Sequence, residues 1–86
     1  MIVWLAPPLV RLFPDAERRV TLAAATVGEM IDALNARWPG MRDRICDSTP
    51  AIRRHINIFV DGERATLATP LAPDAEVYVL TAISGG

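Results

Sequence analysis

"INIFVDGERATLATPLAPDAEVYVLTAISGG", Ile56 to Gly86, is the stretch that decides the fold. Ile56 to Val60 is short, β-branched and apolar, which suits a strand. Asp61-Gly62 follows, and this pair favours the positive φ angles of a two-residue hairpin turn. Glu63 to Leu67 then reads as the returning arm, and "TPLAPD" as a turn-rich connector. Glu76 to Ala82 reads as the last strand. Side chains alternate along a strand, so Ile56, Ile58 and Val60 share one face with Val77, Val79 and Thr81. Phe59, Tyr78 and Leu80 fall on the other.

Upstream, Thr26 with Glu29 three positions on forms a capping box. Val27, Met30, Ile31, Leu34 and Trp38 then recur at helical spacing, and Pro39-Gly40 stops the helix. This stripe reads as core packing. A short helical turn is expected over residues 41–46. At the N-terminus, Ile2 to Leu5 reads as a strand, and Pro7, Pro8 and Pro14 as a long, stiff connection. A second strand is expected over residues 19–24. The order is strand, strand, helix, strand, short strand, strand. One main helix packed on one face of a mixed four- to five-stranded sheet is an α+β layer arrangement.

A single helix leaves the other sheet face uncovered. Phe59, Tyr78 and Leu80 are therefore expected to form an exposed apolar patch, the kind of surface that marks a partner site. The bland alternative tucks them under loops.

The chain has 86 residues, of which 51% are hydrophobic. That length fits one domain with one core and leaves little room for an elaborate cleft. The net charge is −1 with no basic tail, so no electrostatic footprint for nucleic acid is expected. All nine basic residues are arginine. Codon bias explains this, and so does the advantage of lacking side-chain amines beside an activated carboxyl end. No apolar run approaches a membrane span, and the first segment lacks a basic n-region. The single cysteine, Cys46, fits a reducing cytoplasm.

Candidate catalytic groups are sparse. One His and one Cys make no metal cluster, and no phosphate loop is present. His55 follows Arg53 and Arg54 in a charged segment, and Cys46 beside Ile45 reads as a small buried hydrophobe. The unusual group is the α-carboxyl of Gly86. It is ionised at neutral pH and a poor electrophile until converted to a mixed anhydride. Gly85 and Gly86 lack a Cβ and so suit a narrow channel.

The strand order, the capped helix, the "INIFVDG" hairpin and the closing "EVYVLTAISGG" together resemble the β-grasp sulfur carriers, the ThiS/MoaD family, which share the ubiquitin fold. The resemblance implies one β-grasp domain over residues 1–86, with 83–86 as a flexible tail. It implies a protein cosubstrate with no catalysis and no bound cofactor of its own. A ubiquitin-activating-type adenylyltransferase would use Mg-ATP to adenylate Gly86. Sulfur would then replace AMP to give a C-terminal thiocarboxylate, which a sulfur-accepting enzyme consumes. By position, Ser84, Gly85 and Gly86 match the family's tail. Phe59 and Leu80 fall where carriers dock on the activating enzyme, and Ile83 falls on the hydrophobic position before the tail.

"HINIFVDGE" with "TAISGG" looks most like the CysO-type carriers of cysteine biosynthesis, whose acceptor is cysteine-synthase-like. Thr81-Ala82 depart from the prolines of molybdopterin carriers, which serve the large subunit of molybdopterin synthase. Thiamin and thiosugar carriers also stay open. So do three rivals: a ubiquitin-like interaction domain that is never activated, a conjugating modifier, and a small enzyme built on His55 and Cys46.

Overall fold

The computed structural model describes residues 1–82. Five strands form one sheet: β1 (Ile2–Leu5), β2 (Arg19–Thr21), β3 (Ile56–Val60), β4 (Glu63–Arg64) and β5 (Glu76–Thr81). Their spatial order is β2-β1-β5-β3-β4. The central pair β1 and β5 is parallel, and the remaining pairs are antiparallel. Parallel neighbours need a long crossover. Here everything between β1 and β5 supplies it, including the helices α2 (Val27–Arg37) and α3 (Met41–Ile45). This mixed sheet with its main helix on one face is the β-grasp, ubiquitin-like arrangement.

The inner face is set by alternation. Val3 and Leu5 of β1, Val20 of β2, Ile56 and Ile58 of β3, and Val77 and Val79 of β5 are all buried. They meet Val27, Met30, Ile31 and Leu34 of α2, each fully buried, with Met41 and Ile45 of α3 closing the layer. Burying a side chain of this size stabilises the fold by about 1.5–3 kcal/mol before the entropy of ordering is counted. No charged or polar residue is buried among the described residues, so the core carries no desolvated charge.

The ends of α2 follow the sequence closely. The Thr26 hydroxyl accepts the Glu29 amide at 3.2 Å. The reciprocal arm is shifted by one residue: the Glu29 carboxylate accepts the amide of Ala25 at 3.4 Å, not that of Thr26. Gly40 takes φ 99°, and Asp61 and Gly62 take φ 49° and 88°, as the helix stop and the hairpin require.

Three expectations are corrected. The proline-rich connection is not merely stiff loop: Pro7–Val10 form a short helix, α1, with the prolines in its first turn, where a missing N–H is tolerated. Its Leu9 is buried in the core, which explains why the segment folds back instead of running free. The second strand stops at Thr21, opposite Ile2, with one further exchange of hydrogen bonds between Met1 and Leu22 at 3.0 and 3.2 Å. The returning arm stops at Arg64: Ala65 still donates to the Ile58 carbonyl at 2.8 Å, but Thr66 turns back on Thr69. The short turn over 41–46 is present as α3.

Candidate functional site

The sheet face away from α2 carries the predicted partner residues. Register puts five side chains in one transverse row across all five strands. Arg19 of β2 pairs with Trp4 of β1, Trp4 with Tyr78 of β5, Tyr78 with Phe59 of β3, and Phe59 with Arg64 of β4. Paired residues lie on the same face of a sheet. Three aromatic side chains therefore stand side by side between two guanidinium groups.

Tyr78 and Leu80 are exposed by 37% and 40%, and Phe59 is half-buried between them and Arg64. The bland alternative, burial of this trio under loops, does not hold for Tyr78 and Leu80. Trp4 is a member that the sequence reading did not single out. Its ring stacks on Tyr78 with 6.2 Å between centroids and 13° between planes. Its indole N–H donates to one Glu76 carboxylate oxygen at 3.3 Å, and the Tyr78 hydroxyl donates to the other at 3.1 Å. The Arg19 guanidinium lies 5.9 Å from the Trp4 ring centroid, within cation–π range. Donation to Glu76 raises the Tyr78 pKa above the ordinary phenol value. The alternation that puts Val3 and Leu5 inside could have placed Trp4 outside, beside the last strand.

At the other end, Arg64 donates to the Asn57 side-chain oxygen, and Asn57 lies opposite Leu80. The platform is thus braced at both edges by side-chain contacts. Fixed rings of Trp and Tyr with Arg at the margin are the residue types that dominate binding energy at protein interfaces. Beyond Leu80, β5 ends at Thr81, and the Ala82 amide donates to the His55 carbonyl at 2.6 Å. The strand that holds the platform is therefore the strand that leads into residues 83–86. Ile83, Ser84, Gly85 and Gly86 themselves lie outside the described residues.

The residues weighed for catalysis are not brought together. His55 is exposed, whereas Cys46 is buried, and burial pushes its thiol pKa up, away from the reactive thiolate. Among the described residues no group of three or more His, Cys, Asp or Glu gathers as a metal site, and no helix is long and apolar enough to cross a membrane.

The chain is similar to the sulfur carrier protein CysO of Mycobacterium tuberculosis, at 31% identity over 86 residues that cover 93% of this chain and 92% of the relative. It is similar to small archaeal modifier protein 1 of Haloferax volcanii, at 34% identity over 62 residues, 72% of this chain and 71% of that one. Its fold superposes on a chain of the Amycolatopsis orientalis BexX/CysO complex with a TM-score of 0.85 and 27% identity, covering 99% of this chain and 98% of the other. Residues 10–86 match the ThiS family, and on that match, together with the CysO relationship over nearly the whole chain, the protein belongs to the ThiS family of β-grasp proteins.

Proposed function

We propose that this protein is a sulfur carrier whose working group is the Gly86 carboxyl, and that it is a cosubstrate and not an enzyme. The observation that carries the reading is the continuity of β5: it presents Tyr78 and Leu80 to a partner and then leads directly into the diglycine tail. A partner holding the sheet face would have the tail within reach. Four residues beyond Ala82 span at most about 13–14 Å when extended. That reach suffices to enter another protein's active site.

The chemistry balances as follows. The Gly86 carboxylate attacks the α-phosphorus of Mg-ATP in an adenylyltransferase, forming an acyl-adenylate and releasing pyrophosphate. A hydrosulfide equivalent then attacks the acyl carbon and expels AMP, leaving the thiocarboxylate. That sulfur nucleophile passes to an acceptor enzyme's substrate. Phe59, Tyr78 and Leu80, with Trp4 beside them, serve as the docking surface, and Ile83 and Ser84 join the surface to the diglycine. The similarity to CysO favours the cysteine branch, with a cysteine-synthase-like acceptor, and the single cysteine, Cys46, favours a reducing cytoplasm as the compartment. The exposed platform also accommodates a ubiquitin-like binding role without activation, and one experiment separates the two.

That experiment is intact-protein mass spectrometry after incubation with Mg-ATP, a sulfide source and the organism's activating enzyme. The expected result is a mass gain matching one oxygen replaced by sulfur, localised to Gly86. No gain with a verified active enzyme refutes the carrier reading and leaves the sheet face as the functional element.

A further inference from the structure

We propose that a hollow at the base of the tail, on the helix side of β5, is a second docking site for the activating enzyme. It would take an apolar side chain, with a carboxylate beside it, from the mouth of that enzyme's channel. The hollow has a volume of about 420 Å³. Pro8, Leu9 and Leu12 line it from α1 and the turn that follows, and Thr81 and Ala82 line it from the end of β5. Arg44 of α3 and His55 add its polar lining.

Thr81 continues the alternation of Val77 and Val79 and so shares the helix side, whereas Tyr78 and Leu80 point the other way. The hollow and the aromatic platform therefore flank the exit of β5 on opposite faces. The lining is tied to the strand at two points. The Ala6 amide, just ahead of α1, donates to the Val79 carbonyl at 3.0 Å, and the Ala82 amide donates to the His55 carbonyl at 2.6 Å. Leu9 is anchored in the core, and the Leu12 amide donates to its carbonyl at 3.1 Å. Leu12 is nonetheless 50% exposed, more than Tyr78 or Leu80. A single exposed leucine is ordinary on a protein surface. This one lines a hollow that also contains the base of the tail.

What covers the hollow follows from the length of chain beyond it. The four residues after Ala82 reach at most about 13–14 Å. An enzyme that acts on the Gly86 carboxyl inside its own active site must set the mouth of its channel against Ala82, and so over the hollow that Ala82 lines. This second grip rests on the carrier reading, since only a partner that takes Gly86 must lie there. Arg44 and His55 also line an adjoining hollow with Asp43 and Arg53. Arg53 Nε donates to the Asp43 carbonyl at 2.8 Å, and Arg44 has no ion-pair partner among the described residues. Two guanidinium groups against one carboxylate favour an anionic group of the partner, and Pro8 and Leu12 favour an apolar side chain next to it. Contact on both faces of β5 fixes the direction in which the tail leaves the domain, which is how binding contacts orient a reacting group.

The test is the kinetics of adenylation by the activating enzyme, read as pyrophosphate exchange, for the full parent chain, Leu12→Glu and Arg44→Glu. Arg37→Glu, the same charge change on α2 outside the hollow, is the control. All three positions are exposed, so the variants should fold, as melting temperatures check. The KM for Leu12→Glu and Arg44→Glu rises about tenfold or more with kcat little changed, while Arg37→Glu stays within about twofold of the parent. The Leu12 methyl signals of the parent shift when the enzyme is added. An unchanged KM in both variants, or an equal rise in Arg37→Glu, overturns the second site and leaves the carrier reading standing, because the parent is still adenylated. A parent that a verified active enzyme does not adenylate refutes both. Leu12 methyl signals that stay fixed in the complex also overturn the second site. So do Leu12 methyl signals of the free chain that move when residues 83–86 are deleted, since the chain's own tail would then fill the hollow.

Discussion

Trp4 and Tyr78, from the first and last strands, stack at 6.2 Å between ring centroids and share one acceptor, the Glu76 carboxylate. The two termini of the described chain are therefore tied together on the outer sheet face, at the point where the proposed partner docks. An aromatic pair of this kind adds about 0.5–1.5 kcal/mol beyond its buried area. Trp4→Ala is expected to lower stability by about 1–2 kcal/mol in urea denaturation. It should weaken docking more than Ile2→Ala at the same face.

Leu80→Glu places a charge beside the aromatic row, on the same sheet face, at a position already 40% exposed. The fold should survive, with a melting temperature within a few degrees of the parent. The KM of the activating enzyme for the chain should rise about thirtyfold or more, with kcat little changed. An unchanged KM would remove this face from the docking surface.

Deleting Gly85 and Gly86 tests the opposite separation. Thiocarboxylate formation should vanish while binding to the activating enzyme persists, because the platform lies on β5 and not in the tail. The readouts are intact mass and equilibrium binding of the truncated chain.

Ile31 of α2 is fully buried against the sheet. Ile31→Ala should cost about 3 kcal/mol, a large share of the 5–10 kcal/mol or so expected of a domain this size. Thr26→Ala should cost less, about 1 kcal/mol, through loss of the cap to Glu29. Chemical denaturation of both variants checks the order.

Asp47 accepts the Thr49 hydroxyl and the Thr49 and Ala51 amides, which hold its carboxyl pKa below the ordinary aspartate value. A depressed pKa means the unfolded chain takes up the proton first as pH falls. The stabilisation is present above the unfolded pKa and is lost as pH drops through the folded one. The 47–51 loop should therefore loosen only in acid below the ordinary aspartate range. Thr49→Val should move that loosening to higher pH, as read by carboxyl and amide chemical shifts.

Much of this was legible in the residues themselves. The capped helix, its glycine stop, the Asp61-Gly62 turn and the two long strands depend on local conformational preference and on periods of 3.6 and 2, which one chain segment carries alone. The exposure of Tyr78 and Leu80 followed from the same alternation once one face was given to the helix. Ser84, Gly85 and Gly86 are a sequence motif, and their role rests on that motif and on the family.

The tertiary structure decided what no single segment contains. Pairing of β1 with β5 is non-local, and only its register puts Trp4 against Tyr78 and aligns Arg19, Phe59 and Arg64 in the same row. The return arm has residues fit for a longer strand, yet the Thr66–Thr69 turn takes it away from β3 after Arg64. That departure leaves a cleft between β3 and the residues that follow β4. Local sequence sets which way a side chain points along its own strand; which neighbours it meets across the sheet is set by the packing of distant strands around one core.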